Sequence, residues 1–217
     1  MRTKKIKPPP EKVKIFMLDD DKILVEGVVD FLKKQDYECE GTSSVEETFD
    51  KLDEKKYDIM ILDFFLENYD GKRFIRKLRS SGALSCNTRI ILLTGHTSLA
   101  PPLESIRKLD IQGYVEKGIN YDGILIEVEK LKNQIEKERE TEEQLRRSFG
   151  EKIKQLRVKN GMTQEDLAQI LKIGRTAVVA YEQGVNEPSL YNLKLIASVF
   201  KVSIDYLAAY SLERQLH

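Results

Sequence analysis

The chain has 217 residues, 36 basic and 36 acidic side chains, 41% hydrophobic residues, two cysteines and no tryptophan. That length suits one or two domains, each with a core of its own, and no apolar run approaches the eighteen or so residues of a helical membrane span. Cys39 and Cys86 lie far apart without metal-type spacing, so they read as reduced thiols of a cytoplasmic protein.

Residues 1–12 open with MRTKKIKPPP, which is basic but lacks the apolar core of a secretory signal, and read as a short tail. Over 13–122, short apolar runs alternate with amphipathic stretches. Strands are predicted at VKIFML (13–18), YECEG (37–41), DIMIL (58–62), RIILLT (89–94) and GYVEK (113–117). Helices are predicted at 22–35, 44–52, 71–80 and 101–109, the last with prolines suited to a first turn. Strands alternating with helices predict an α/β domain with a five-stranded parallel, doubly wound (flavodoxin-like) sheet. The unbroken runs IMIL and IILL fit strands buried on both faces.

Residues 123–148 change character. Ile124, Val128, Leu131, Ile135, Leu145 and Phe149 fall on a 4-3-4 seam whose middle places are Glu138 and Glu142, and no Gly or Pro occurs from 124 to 149. This predicts a coiled-coil-like linker helix, ~39 Å long at 1.5 Å per residue, whose apolar seam would join two copies into a weak homodimer. The like charges of Glu138 and Glu142 would keep that zipper insufficient by itself.

From 149 to 217 the spacing predicts a small all-α domain. Asn160-Gly161 stops one helix, Thr163 with Asp166 caps the next, and a turn holding Gly174 leads into RTAVVAYEQG. Ser189 and Ser203 cap two more helices. A capped helix, a tight turn and a second helix form a helix-turn-helix, with Leu167, Ala168, Leu171, Val178 and Tyr181 as core. The three segments 1–122, 123–148 and 149–217 carry 21 basic against 22 acidic, 6 against 7, and 9 against 7 side chains. Only the last leans basic, so one copy would bind nucleic acid weakly.

Ligands of open parallel sheets sit at the C-terminal ends of the strands. Here those ends carry Asp19-Asp20-Asp21, then Asp63, Thr94 and Lys117. Clustered carboxylates repel and require a cation, and hard oxygen ligands that leave room for phosphate suit Mg²⁺. Asp63 is then placed as a carboxylate nucleophile toward phosphorus, with Thr94 and Lys117 holding the remaining oxygens.

Residues 13–122 accordingly resemble a response-regulator receiver domain of two-component signalling. The acid pair Asp19 and Asp20 stands in MLDDDK, Asp63 in ILDFFLENYDG, Thr94 in LLTGH and Lys117 in GYVEKG. The resemblance implies Mg²⁺ held by Asp19, Asp20 and Asp63, and phosphoryl transfer from a histidine kinase to Asp63. It further implies a switch through Thr94 and the aromatic Tyr114. Glu67 and Gly118 stand where that family usually has proline. Phe65 and His96 occupy positions that influence hydrolysis there, and their bulk predicts slow autodephosphorylation.

The stretch LRVKNGMTQEDLAQIL, with YEQGVNEPSL and VSIDYL after it, resembles the lambda-repressor-like helix-turn-helix family. That resemblance implies double-stranded DNA as a partner. Arg175, Thr176, Val179 and Ala180 would face the major groove and Gln164 a phosphate. The expected whole is a phosphorylation-controlled transcription regulator acting as a dimer. The alternative is a constitutive dimeric repressor whose receiver only scaffolds. An enzyme is not expected. A haloacid-dehalogenase-like phosphatase would match Asp19-x-Asp21, but TGHTSLAPP replaces the late acidic pair that it needs.

Overall fold

The computed structural model describes residues 11–66, 69, 71–95 and 108–208. The chain divides into two compact units, Met1–Ile135 and Glu136–His217.

In the first unit, β1 (Lys14–Leu18), α1 (Lys22–Lys34), β2 (Glu38–Thr42), α2 (Val45–Glu54), β3 (Ile59–Asp63), α3 (Gly71–Ser80), β4 (Arg89–Thr94) and β5 (Gly113–Glu116) follow one another. The five strands are parallel in the order β2-β1-β3-β4-β5. Alternation of side chains along each strand feeds two cores. Ile15, Met17, Ile59, Ile61, Ile91 and Leu93 pack on one face, with Val25, Val28, Val29 and Leu32 of α1. Phe16, Leu18, Met60, Leu62, Ile90 and Leu92 pack on the other, with Leu52 of α2 and Phe74, Ile75 and Leu78 of α3. Both faces being buried is why the strands read as continuous apolar runs. Asp21 starts α1 by accepting the amides of Ile23 and Leu24, and Ser44 starts α2 by accepting that of Glu47. Residues 101–107 of the helix expected at 101–109, together with Glu67 and His96, lie outside the described residues.

The long helix α4 runs from Asp122 to Lys159. Its seam requires a correction. Ile124, Val128, Leu131 and Ile135 are buried in the first core, against the sheet and α1, and present no free face to a second copy. Leu145 is half-buried, and Phe149 packs on the core of the second unit, while Glu138 and Glu142 are exposed. The apolar ends of the seam therefore serve two separate cores of one chain, while its acidic places, Glu138 and Glu142, are exposed. An apolar stripe along a helix marks burial without saying against what.

In the second unit, α5 (Gln164–Leu171), α6 (Arg175–Glu182), α7 (Leu190–Val199) and α8 (Ile204–Ala208) follow the end of α4. They enclose Ile153, Leu167, Ala168, Leu171, Val178, Tyr181, Ile196, Ala197, Phe200 and Leu207. Thr163 and Asp166 make both halves of a capping box on α5. Helix α4 meets the end of α6 without a side chain between them: a Cβ added to Gly150 would stand 2.3 Å from the Tyr181 carbonyl oxygen. Gly184, at φ +67°, makes the reciprocal approach, where a Cβ would lie 2.8 Å from the backbone of Arg146 and Arg147.

Candidate functional site

The acid site forms at the C-terminal edge of the sheet. Register places Leu18 beside Leu62, so Asp19 and Asp63 leave neighbouring strands side by side. Asp19 is 0% and Asp63 2% exposed, whereas Asp20 is exposed. One carboxylate oxygen from each of the three lies within 4.8 Å of the other two. At that separation Asp19 and Asp63 repel by roughly 3–4 kcal/mol at an effective dielectric near 20.

Lys117 offsets part of that repulsion. Its Nζ lies 2.8 Å from Asp19 Oδ2 and 3.0 Å from Asp63 Oδ2. Asp19 Oδ1 also accepts the Asp21 amide at 3.0 Å, and Asp63 Oδ1 the Phe65 amide at 3.1 Å. Burial pushes the Asp19 carboxyl above its ordinary value despite the opposing pull of Lys117. Burial alone would lower the Lys117 ammonium, but the two carboxylates outweigh it and hold its pKa raised. Three carboxylates against one ammonium leave two formal negative charges, the charge of one Mg²⁺, and all the donors are oxygens. The residues present fit that ion.

Thr94 ends β4 fully buried, and its carbonyl accepts the Lys117 amide at 2.7 Å. Tyr114 is half-buried against the second core, and its hydroxyl finds no hydrogen-bond partner among the described residues. Phe65 is 45% exposed, its ring edge-on to Phe64. Asp19, Asp20, Asp63 and Lys117 are thus brought together from three strand ends.

In the second unit Arg175 and Thr176 are exposed at the start of α6, and Val179 and Ala180 are half-buried. Gln164 spends an amide N–H on Glu182 Oε2 at 2.9 Å. A shallow depression of about 550 Å³ gathers Gln164, Thr163 and Glu165 with Arg157, Met162 and Arg175. Sequence reasoning missed the support beneath it. Arg157 forms a buried two-pronged ion pair with Glu182, and its NH1 donates to the Met162 carbonyl at 2.7 Å. The partners stand 25 residues apart, so no helical spacing could have signalled the pair.

Comparison with known proteins follows the division of the chain into two units. The family model "Response regulator receiver domain" matches residues 15–129, and a "Helix-turn-helix" model matches 153–207. The HTH-type transcriptional activator BcrR of Enterococcus faecalis is 44% identical over 59 residues, 27% of this chain and 29% of BcrR. The transcriptional regulatory protein CrdR of Helicobacter pylori is 23% identical over 120 residues, 55% of either chain. The chain thus spans about half or less of these relatives. A solved CheY-like receiver domain from Methanospirillum hungatei aligns with a TM-score of 0.51 and 20% identity, covering 59% of this chain and 99% of that one.

Proposed function

The chain belongs to the response regulator receiver family and carries a helix-turn-helix domain behind the receiver, and from that premise we propose that it is a DNA-binding response regulator controlled by phosphorylation of Asp63. The observation that carries this reading is the Lys117 ammonium set between the buried carboxylates of Asp19 and Asp63, with Asp20 beside them. Mg²⁺, held by Asp19, Asp20 and Asp63, would offset their charge and that of the incoming phosphoryl group. Asp63 supplies the attacking carboxylate oxygen. The bond from phosphorus to the imidazole nitrogen of a kinase phosphohistidine breaks as the new P–O bond forms, and the imidazole takes up a proton. Lys117 and the Thr94 hydroxyl then receive phosphoryl oxygens, and Tyr114 responds to the movement of Thr94.

The output is DNA binding through α6, with Arg175 and Thr176 as the groove-facing pair and Gln164 near a phosphate. Two copies acting together supply the affinity that a module with a surplus of two basic charges lacks alone. With Ile124, Val128, Leu131 and Ile135 buried in the first core, pairing would use other residues. The likeness to BcrR, a transcriptional activator, and CrdR, a transcriptional regulatory protein, supports a role in transcription and with it a place in the cytoplasm. The chemistry is confined to gaining and losing its own phosphoryl group.

Incubation with acetyl phosphate and Mg²⁺ should add the mass of one phosphoryl group to the wild type and none to Asp63→Asn, and light scattering should then show a dimer of the wild type alone. A wild type that gains no mass sinks the proposal. A dimer indifferent to Asp63→Asn would make the receiver a scaffold on a constitutive DNA-binding protein.

A further inference from the structure

Helix α1 carries a glycine, Gly27, in its interior, six residues beyond its cap Asp21, where glycine is the poorest helix former after proline. The reason stands across from it. A Cβ at Gly27 would lie 2.2 Å from the Tyr121 hydroxyl oxygen and 3.1 Å from its Cζ. The Tyr121 ring also meets Phe31 of α1 edge-on at 5.5 Å, and packs against the core beneath. Tyr121 therefore seats directly on the α1 backbone at a place only glycine leaves open.

Both segments adjoin residues of the acid site. Helix α1 follows immediately from the acid pair and is tied to it where the Asp21 amide donates to Asp19 Oδ1. After β5 the Lys117 amide is fixed to the Thr94 carbonyl, and the chain then crosses Gly118, Ile119 and Asn120. An added Cβ at Gly118 would meet no atom closer than 3.7 Å, and Ile119 and Asn120 are exposed. The first side chain after Lys117 to pack into the core is Tyr121.

We propose that Tyr121 is a positioning residue for phosphoryl transfer: seated on Gly27, it fixes the loop 117–121 against α1 and so holds the Lys117 ammonium between Asp19 and Asp63. This rests on Asp63 being the phosphoryl acceptor. Tyr121 touches no reacting atom. It acts through the loop, which has no other packed side chain to set its height above the sheet.

The test separates positioning from folding by reading two constants on the full chain. Mg²⁺ affinity, measured by calorimetry, depends on the three carboxylates. The rate of phosphorylation by acetyl phosphate at saturating Mg²⁺ depends also on Lys117. Tyr121→Ala should lower that rate about tenfold, since small misplacements at a reacting centre cost that much or more, while Mg²⁺ affinity does not fall. Tyr121→Phe keeps the ring and should restore the rate. Gly27→Ala should lower it as Tyr121→Ala does, and the double variant should be no slower than either single one, because the added methyl collides only with the tyrosine. Wild-type rates in Tyr121→Ala, or a fall of rate matched by a fall of Mg²⁺ affinity, overturn the proposal while leaving Asp63 as acceptor. A wild type that takes no phosphoryl group removes both.

Discussion

Lys117 Nζ stands 3.0 Å from Asp63 Oδ2, across 54 residues of sequence. The same ammonium reaches Asp19 at 2.8 Å, so one cation serves two buried carboxylates. Replacing it with alanine leaves both without their common counter-charge. Lys117→Ala should therefore depend on Mg²⁺ for stability more than the wild type does, with a larger rise of its thermal midpoint when the ion is added. Its phosphorylation rate should fall about a hundredfold, the usual cost of losing one preorganised charge partner of a transition state. Stopped phosphorylation assays and calorimetry read the two effects, and an unchanged rate would remove Lys117 from the chemistry.

Leu131 distinguishes a core residue from a zipper residue. It is 1% exposed in the first core, so Leu131→Ala should cost about 2–5 kcal/mol of the receiver unit's stability. A zipper residue would instead weaken self-association and leave the unit's stability alone. Denaturant melts combined with light scattering decide between them.

The acid site was legible in the sequence because parallel topology forces it: every strand of such a sheet delivers its C-terminal residue to one rim, so strand order alone gathers Asp19, Asp63, Thr94 and Lys117. Strand β3 even extends one residue further than its apolar run and includes Asp63 itself. The α4 seam was read with the right periodicity and the wrong partner, since Ile124 to Ile135 would repeat in the same way against a sheet or a second helix. Gly27 with Tyr121, and Arg157 with Glu182, were illegible for a different reason. Each is a contact between distant segments that no local spacing encodes.

Gly150 sets helix propensity against packing. Alanine is the better helix former by about 1 kcal/mol, yet its Cβ would stand 2.3 Å from the Tyr181 carbonyl oxygen and 2.9 Å from the Glu182 carbonyl carbon. Backbone cannot yield as a side-chain tip does, so Gly150→Ala should destabilise the second unit by roughly 1–3 kcal/mol net. It should also weaken DNA retention in a gel-shift assay, because the end of α6 must move. An equally stable variant would show that the two helices part easily.

Phe65 follows Asp63 by two residues, and its amide already holds Asp63 Oδ1 at 3.1 Å. Its ring is 45% exposed, and bulk at this position is expected to narrow the approach of water. The phosphorylated chain should lose its phosphoryl group over minutes or longer, and Phe65→Ala should shorten that time. Intact-mass measurements after removal of the phosphodonor follow both. A wild-type lifetime of seconds defeats the expectation.

Glu182 gives the second unit an acid-sensitive joint. Burial by itself would raise its carboxyl, but Arg157 and Gln164 outweigh burial and hold it below its ordinary 4.5. The folded state thus binds this proton less readily than the unfolded chain. The stability the pair contributes is complete above about pH 4.5 and is lost as pH falls through the lower folded value. Asp19 has the opposite sign in the receiver, because burial raises it above 3.8 and its ionisation costs stability as pH rises through that interval. Amide-exchange protection at Ile153 and Val178, buried in the second core, should therefore fall in acid. Glu182→Gln should flatten that profile, and Glu182→Ala, which strands the Arg157 guanidinium, should cost about 3–5 kcal/mol near neutral pH. If Glu182→Gln keeps the full acid loss, other carboxylates carry it, and the pair with Arg157 is not the joint.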